Sequence, residues 1–342
     1  MTEDEQAFLA AIVAAPDDDT PRLVFADWLD ERGQGDDAAR AALVRAQCRL
    51  EHLPPDSRAR RALAKEANAV LKAHAKRWSA ALGGLRLGEN WSYRRGFIDG
   101  VTMSPTNFVR HAETIFRFAP TLRTVRFPYA QGEVTGLAAC PFLARLASVD
   151  LTQMCTCGMC PIDVELRDLF KSKHAAGLSR LNISLDRIDA DMARALVASK
   201  HLARLTSLDL SHNPLGTDGA RVLAGAKHLT RLVALNLVST QLGNDGVAAL
   251  ATAAHFPALA RLDLSRNDVS AGGVRTLVGA PFFHQLTVLD LSGNRIGEGG
   301  AAALAKLPAT VKLESLDVTA NRLSEKAIRA LKTRYGKGVK VG

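Results

Sequence analysis

The chain is short of the residue types on which quick functional assignments rest. Aromatic residues make up 5% of its 342 positions, so no large aromatic pocket is foreshadowed and the core has to be aliphatic. Its five cysteines are odd in number and mostly clustered. They do not form the paired framework of an extracellular domain, which agrees with a reducing compartment. No stretch approaches the roughly 18 uninterrupted apolar residues of a membrane helix. Met1-Thr-Glu-Asp-Glu5 has neither the basic start nor the apolar run of an export leader, so a cytoplasmic address and no membrane contact are expected. Catalytic patterns are missing as well. There is no His-Glu-x-x-His, no Gly-x-Ser-x-Gly, no Gly-x-x-x-x-Gly-Lys-Ser/Thr and no dinucleotide fingerprint opening a helix after a lone strand. The expectation is a protein that is not an enzyme.

What the chain does have is a period. Leu181, Leu208, Leu235, Leu262, Leu289 and Leu316 follow one another at 27 residues, each inside the same pattern, as in Leu205-Thr-Ser-Leu-Asp-Leu-Ser-His-Asn213 and Leu286-Thr-Val-Leu-Asp-Leu-Ser-Gly-Asn294. Apolar residues at the first, fourth and sixth positions suit a short strand with one buried face, and Leu215, Leu242, Val269, Ile296 and Leu323 return inward after a turn. The ninth position is Asn213, Asn267, Asn294 and Asn321, with Thr240 and Asp186 as departures. An amide there can satisfy backbone groups that would otherwise be buried unpaired. Ala- and Leu-rich runs such as Gly246-Val-Ala-Ala-Leu-Ala follow at helical length. Strand, helix and strand at this spacing demand a parallel sheet with helices on the outside. Residues 178 to 331 resemble the leucine-rich repeats of ribonuclease inhibitor and of Ran GTPase-activating proteins. The fold class expected is α/β: a leucine-rich repeat solenoid, curved parallel sheet inside and helices outside, behind an N-terminal all-helical cap. Strand starts near Ile98, Leu122 and Leu143 add degraded units at about 24-residue spacing, making roughly nine, the first three irregular.

The segment before the repeats parses as four helices. Thr2 and Glu5 form a capping box, Pro16 ends the first helix, and Thr20-Pro21 starts a second over 22–32 that Gly33 stops. A third runs over about 37–53 and a fourth over 56–82. Trp28 is expected to pack against Leu9 or Leu43, with Asp27 solvated or paired with Arg22 or Arg32. The run Asp18-Asp-Thr-Pro-Arg-Leu-Val-Phe-Ala-Asp-Trp-Leu-Asp-Glu-Arg-Gly33, followed by Ala39-Arg-Ala-Ala-Leu-Val-Arg-Ala-Gln47, resembles the repeat-companion domain, a bacterial module at the front of repeat proteins. That resemblance covers about the first 50 residues and implies no established activity. Where the family commonly has Gly-Glu before its third helix, this chain has Ala39-Arg40. A solenoid's first unit has an open apolar end, which such a domain would cover. The boundaries expected are 1–84 for the helical domain, 85–177 for irregular first repeats with a cysteine-rich insertion, and 178–342 for regular repeats and a C-terminal cap.

Between Leu151 and Leu181 the interval grows by about five residues, and the extra length holds Cys155-Thr-Cys157-Gly-Met-Cys160. Three thiols this close can converge on one ion, with Cys140 or His174 as a fourth ligand for a structural zinc. A redox dithiol at Cys157 and Cys160 is a second reading. In the third, one cysteine fills the turn position used elsewhere by asparagine and the others are inert. His201, His228, His255 and His284 share one repeat phase and read as repeat consensus.

The net charge of +9 is segregated: residues 1–37 are strongly acidic and 58–77 basic. Neighbouring helices can complement each other this way, and a nucleic-acid footprint would need one-sided basic charge with aromatics, so nucleic acid is not expected. The expected working surface is the concave face, whose central column runs Asp150, Asn182, Asp209, Asn236, Asp263, Asp290 and Asp317, flanked by Arg180, Arg261, His212 and Arg266. An acidic strip on a basic protein suits a basic protein partner. The expectation is therefore a monomeric, non-catalytic interaction scaffold. Regulation of an enzyme such as a nuclease or GTPase is the first alternative, and a zinc-stabilised or redox-sensing module the second.

Overall fold

A computed structural model of the chain describes residues 2–83, 90–155 and 162–341. These divide into two compact units, with the division after Arg126.

The first unit opens with α1 (Glu3–Ala14), α2 (Thr20–Arg32), α3 (Asp37–His52), α4 (Arg58–Trp78) and the single turn α5 (Ala80–Gly83). Their ends follow local chemistry. The Thr2 hydroxyl accepts from Glu5 N at 3.3 Å, the Ser57 hydroxyl from Arg60 N at 3.1 Å, and Gly33 closes α2 in the left-handed region at φ 58°. α2 begins before the expected position, at which Thr20 would have been the N-cap. Thr20 is already helical, and the Asp18 carboxylate accepts from its N–H at 2.8 Å. The core joins Ile12, Phe25, Leu29, Val44 and Phe97. Trp28 lies on it, stacked on Phe25 and capped by the Arg32 guanidinium 4.2 Å from the ring centre, while Asp27 pairs with Arg45 at 2.6 Å. Cys48 is sealed in the same region, and burial above all pushes its thiol up to about 12, which makes it inert packing.

The chain then forms β1 (Trp91–Arg94), antiparallel to β2 (Phe97–Thr102), followed by α6 (Pro105–Phe118) and β3 (Thr124–Arg126) parallel to β2. The β1–β2 hairpin was not anticipated from sequence. Its signal is the two-residue Arg95-Gly96 loop, with φ 51° and 86°, the geometry that matches the right-handed twist of paired strands. Glycine is required at Gly96 twice over, since a Cβ there would also lie 2.7 Å from Val44 Cα. The turn thus sits directly on α3, where Gln47 Oε1 accepts from Gly96 N at 2.7 Å and its Nε2 donates to Tyr93 O at 3.2 Å. Within this unit the helices and the first strands form one body.

The second unit contains α7 (Val134–Ala139), β4 (Ser148–Asp150), α8 (Ile162–Lys171), β5 (Arg180–Asn182), α9 (Ala190–Val197), β6 (Ser207–Asp209), α10 (Gly216–Ala224) and β7 (Ala234–Asn236). It continues with α11 (Gly243–Ala251), β8 (Arg261–Asp263), α12 (Ala271–Leu277), β9 (Val288–Asp290), α13 (Gly297–Ala305), β10 (Ser315–Asp317), α14 (Glu325–Tyr335) and β11 (Val339–Lys340). From β4 to β11 the strands pair in parallel and in chain order. Val149, Leu181, Leu208, Leu235, Leu262, Leu289, Leu316 and Val339 form one buried register row. Strands stack about 4.8 Å apart and helices about 8–10 Å apart, so a stack of such units bends with its strands on the concave side. Among the described residues no helix is long and apolar enough to cross a membrane.

Candidate functional site

Because alternate residues of a strand point to opposite faces, burying the leucine row fixes what the strands present outward. Asp150, Asn182, Asp209, Asn236, Asp263, Asp290 and Asp317 stand in one register row, half-buried. Two residues earlier on each strand lies a second row, in which Arg180 and Arg261 are exposed among Ser148, Ser207, Ala234, Val288 and Ser315. His212 and Arg266, both exposed, stand in the turn just after their strands. All the strand-face residues expected from sequence therefore share this face or its rim.

The aspartates carry structure as well as charge. One oxygen of each accepts from the backbone two residues on: Asp209 from Ser211 N at 2.9 Å, Asp263 from Ser265 N at 2.9 Å, Asp290 from Ser292 N at 2.8 Å and Asp317 from Thr319 N at 3.0 Å. Asn182 and Asn236 make the same bond, at 3.0 and 3.1 Å. The column is thus a row of side chains closing the strand-to-turn step, and only the second oxygen of each acid faces outward. Asn236 donates to that oxygen of Asp209 at 2.8 Å, and Lys340 lies 3.6 Å from that of Asp317. Asp263 and Asp290 stand side by side with no such partner for their outer oxygens among the described residues. Burial, reinforced by the charges of Asp290 and Asp209, raises the Asp263 carboxyl above its ordinary range. These acids, with Arg261, line a groove of about 260 Å³ spanning β6 to β9.

Of the rim, sequence reasoning found only His212 and Arg266. Gln153, Leu185, His212, Ser239, Arg266, Gly293 and Ala320 occupy the turn position just before the buried ladder residue, all in the left-handed region at φ 53–65°. Leu185 is exposed there, and Tyr129, also left-handed at φ 53°, is 64% exposed. A large apolar side chain where sister units carry small or polar ones was the available signal.

Beneath the rim runs the asparagine ladder. Asn213 accepts from Asp186 N and Ile188 N and donates to Ile183 O and Leu210 O, each at 2.9–3.0 Å. Asn294 does the same for Asn267 N, Val269 N, Leu264 O and Leu291 O. Thr240 cannot play both roles. Its hydroxyl donates to Leu237 O at 2.7 Å, and the N–H of Leu215, which follows Pro214, turns instead to Asn213 O at 2.9 Å. Asp186 accepts from Met154 N at 2.7 Å, but its second oxygen is buried with no partner among the described residues. Burial above all, helped by nearby Asp150, pushes its carboxyl up to about 7.

The residues nominated for zinc are only partly in view. Cys157 and Cys160 lie outside the described residues. Cys155 is half-buried in the turn after β4, and Cys140 is buried at the end of α7, on the approach to β4. Among the described residues no group of three or more His, Cys, Asp or Glu side chains is placed to hold a metal ion.

A leucine-rich repeat family model matches residues 201–224, 228–251 and 284–305, each segment entering from the loop before a strand and ending near the close of the following helix. The chain carries leucine-rich repeats. No curated protein matches it. Among solved structures, it is similar at 13% identity to the crystal structure of the yeast Rad7 and Elc1 complex, over 92% of this chain and 94% of that one, with a TM-score of 0.41. A Bacteroides fragilis protein is similar at 13% identity over 80% and 83%, TM-score 0.45. An internalin from Listeria monocytogenes is similar at 15% identity over 66% and 68%, TM-score 0.35. In the leucine-rich repeats of this chain the strand row, its groove and the adjoining rim make up the candidate site.

Proposed function

We propose that this protein is a non-catalytic scaffold whose strand face and rim bind a protein partner through a basic segment. The observation that carries the reading is the in-register pair of Asp263 and Asp290, separated from Asp209 by Asn236, in a groove where Arg261 is the one cation lining it among the described residues. Lysine or arginine side chains laid along the groove would relieve the repulsion between these acids. Exposed Tyr129 and Leu185 add apolar anchors of the kind that dominate protein interfaces. The resemblance of the first 50 residues to repeat-companion modules fits this reading, since such modules precede repeat arrays.

The test exploits the asparagines already present in the row. Changing Asp209, Asp263 and Asp290 to asparagine keeps each turn-closing hydrogen bond, as Asn182 and Asn236 do, and removes three charges. Affinity capture from lysate with the wild type and with this triple variant is expected to lose a basic partner in the variant. Equal capture would move recognition off the strip. A nuclease or GTPase as the captured species would narrow the role to enzyme regulation.

A further inference from the structure

The helical unit contains a cleft of about 310 Å³ that the proposed scaffold role does not use. Leu9, Phe25, Leu29, Trp78 and Phe118 form the apolar part of its wall, and Arg40 lines it among other charged side chains. The Arg40 guanidinium is held by aromatic rings, its central carbon 4.8 Å from the centre of Trp78, 5.1 Å from Phe97 and 6.0 Å from Tyr93. Its Nε is sealed from solvent with no acceptor, and no carboxylate or carbonyl bonds the guanidinium among the described residues. Neighbouring arginines are treated differently. Arg32 is held bidentately by Asp37 at 2.6 and 2.7 Å, Arg45 by Asp27 and Asp30 at 2.6 and 2.7 Å, and Arg94 by Glu51 at 2.6 and 3.2 Å. A guanidinium withdrawn from water normally retains an anion.

We infer that this cleft binds a monocarboxylate on an apolar body, with Arg40 as the anion-binding residue. Aromatic rings surround the guanidinium without occupying its N–H donors, and a guanidinium fork pairs with a planar carboxylate through parallel hydrogen bonds. Glu5, Asp36 and Asp37 also line the cleft. Arg32 neutralises Asp37 and Arg77 pairs with Asp36, so Glu5 is the acid left to face a ligand. That acidic surround favours a singly charged anion over a phosphate dianion. The volume suits a medium-chain or aromatic acid, or the C-terminal residue of a peptide ending in an apolar side chain.

The experiment uses the full chain and follows the indole N–H resonances of its three tryptophans while titrating octanoate, inorganic phosphate, and a short peptide ending in leucine as the free acid or the amide. Octanoate, the peptide acid or both are expected to shift the Trp78 signal saturably, and phosphate and the amide are not. Octanoate alone would identify a free acid as the ligand, and the peptide acid a chain terminus. Arg40→Gln is expected to weaken binding about tenfold or more and Arg40→Lys to weaken it less. Phe118 is 46% exposed, so Phe118→Ala folds irrespective of the ligand and should weaken octanoate severalfold. No saturable Trp78 shift with either carboxylate, undiminished binding in folded Arg40→Gln, octanoate affinity unchanged by Phe118→Ala, or phosphate binding as tightly as octanoate would each overturn the assignment.

Discussion

Asp186 occupies a ladder position that asparagine fills in four of the following five units, and the one-atom difference has a thermodynamic consequence. An asparagine there donates to backbone carbonyls with the group that in Asp186 is an orphaned oxygen. Near pH 4 the unfolded carboxyl loses its proton, whereas the folded one holds it to about 7. The folded state binds more protons in that window, so this group's contribution to stability falls as pH rises from about 4 to about 7 and is flat above. Asp186→Asn is therefore expected to raise stability at pH 8 by about 1–3 kcal/mol and to flatten the pH dependence. Urea unfolding of both proteins at pH 5 and pH 8 checks it, and an equal loss at both pH values would show that the carboxyl is accommodated as an anion.

The element that repeats is a strand, a left-handed turn and a helix, and the ladder asparagine joins one copy to the previous one. Asn294 satisfies two N–H groups and two main carbonyl acceptors buried between β8 and β9. Removing its side chain leaves them in a place water does not reach. Asn294→Ala should cost about 3 kcal/mol or more, well beyond the loss from an exposed residue such as Arg266→Ala on the preceding turn. Paired denaturant titrations separate the two, and similar small losses would mean that the turn relaxes to admit water. The contrast with Thr240 shows how one departure is tolerated: of the two N–H groups an asparagine there would serve, those of Asn213 and Leu215, the second finds a local acceptor in Asn213 O.

For the whole molecule, charge of one sign overall and of the other on the strip sets how binding should respond to salt. A basic partner meets a protein of net charge +9 from a distance and an acidic groove only on contact. Salt at about 0.5 M shortens the screening length to a few ångströms, so capture by the wild type should weaken between about 0.05 and 0.5 M salt. The variant with asparagine at 209, 263 and 290 should show a flatter response, read by quantifying bound partner at each salt step; parallel slopes would detach the strip from recognition. Much of this architecture was legible beforehand, because a 27-residue period buries the same apolar positions in every turn of the solenoid and so dictates strand, face and register from Leu181 to Leu316. The acidic row was legible by the same alternation. Its role in closing turns was not, since that depends on φ angles and hydrogen bonds that a pattern of letters does not encode. Tertiary packing decided the rest. It docked the Arg95-Gly96 turn onto α3, orphaned the Asp186 oxygen, and enclosed Arg40 among Trp78, Tyr93 and Phe97, residues brought together from distant positions. The sequence by itself determined what repeats locally; only the folded chain decided which charges are left without a partner, because desolvation depends on neighbours that are remote in sequence.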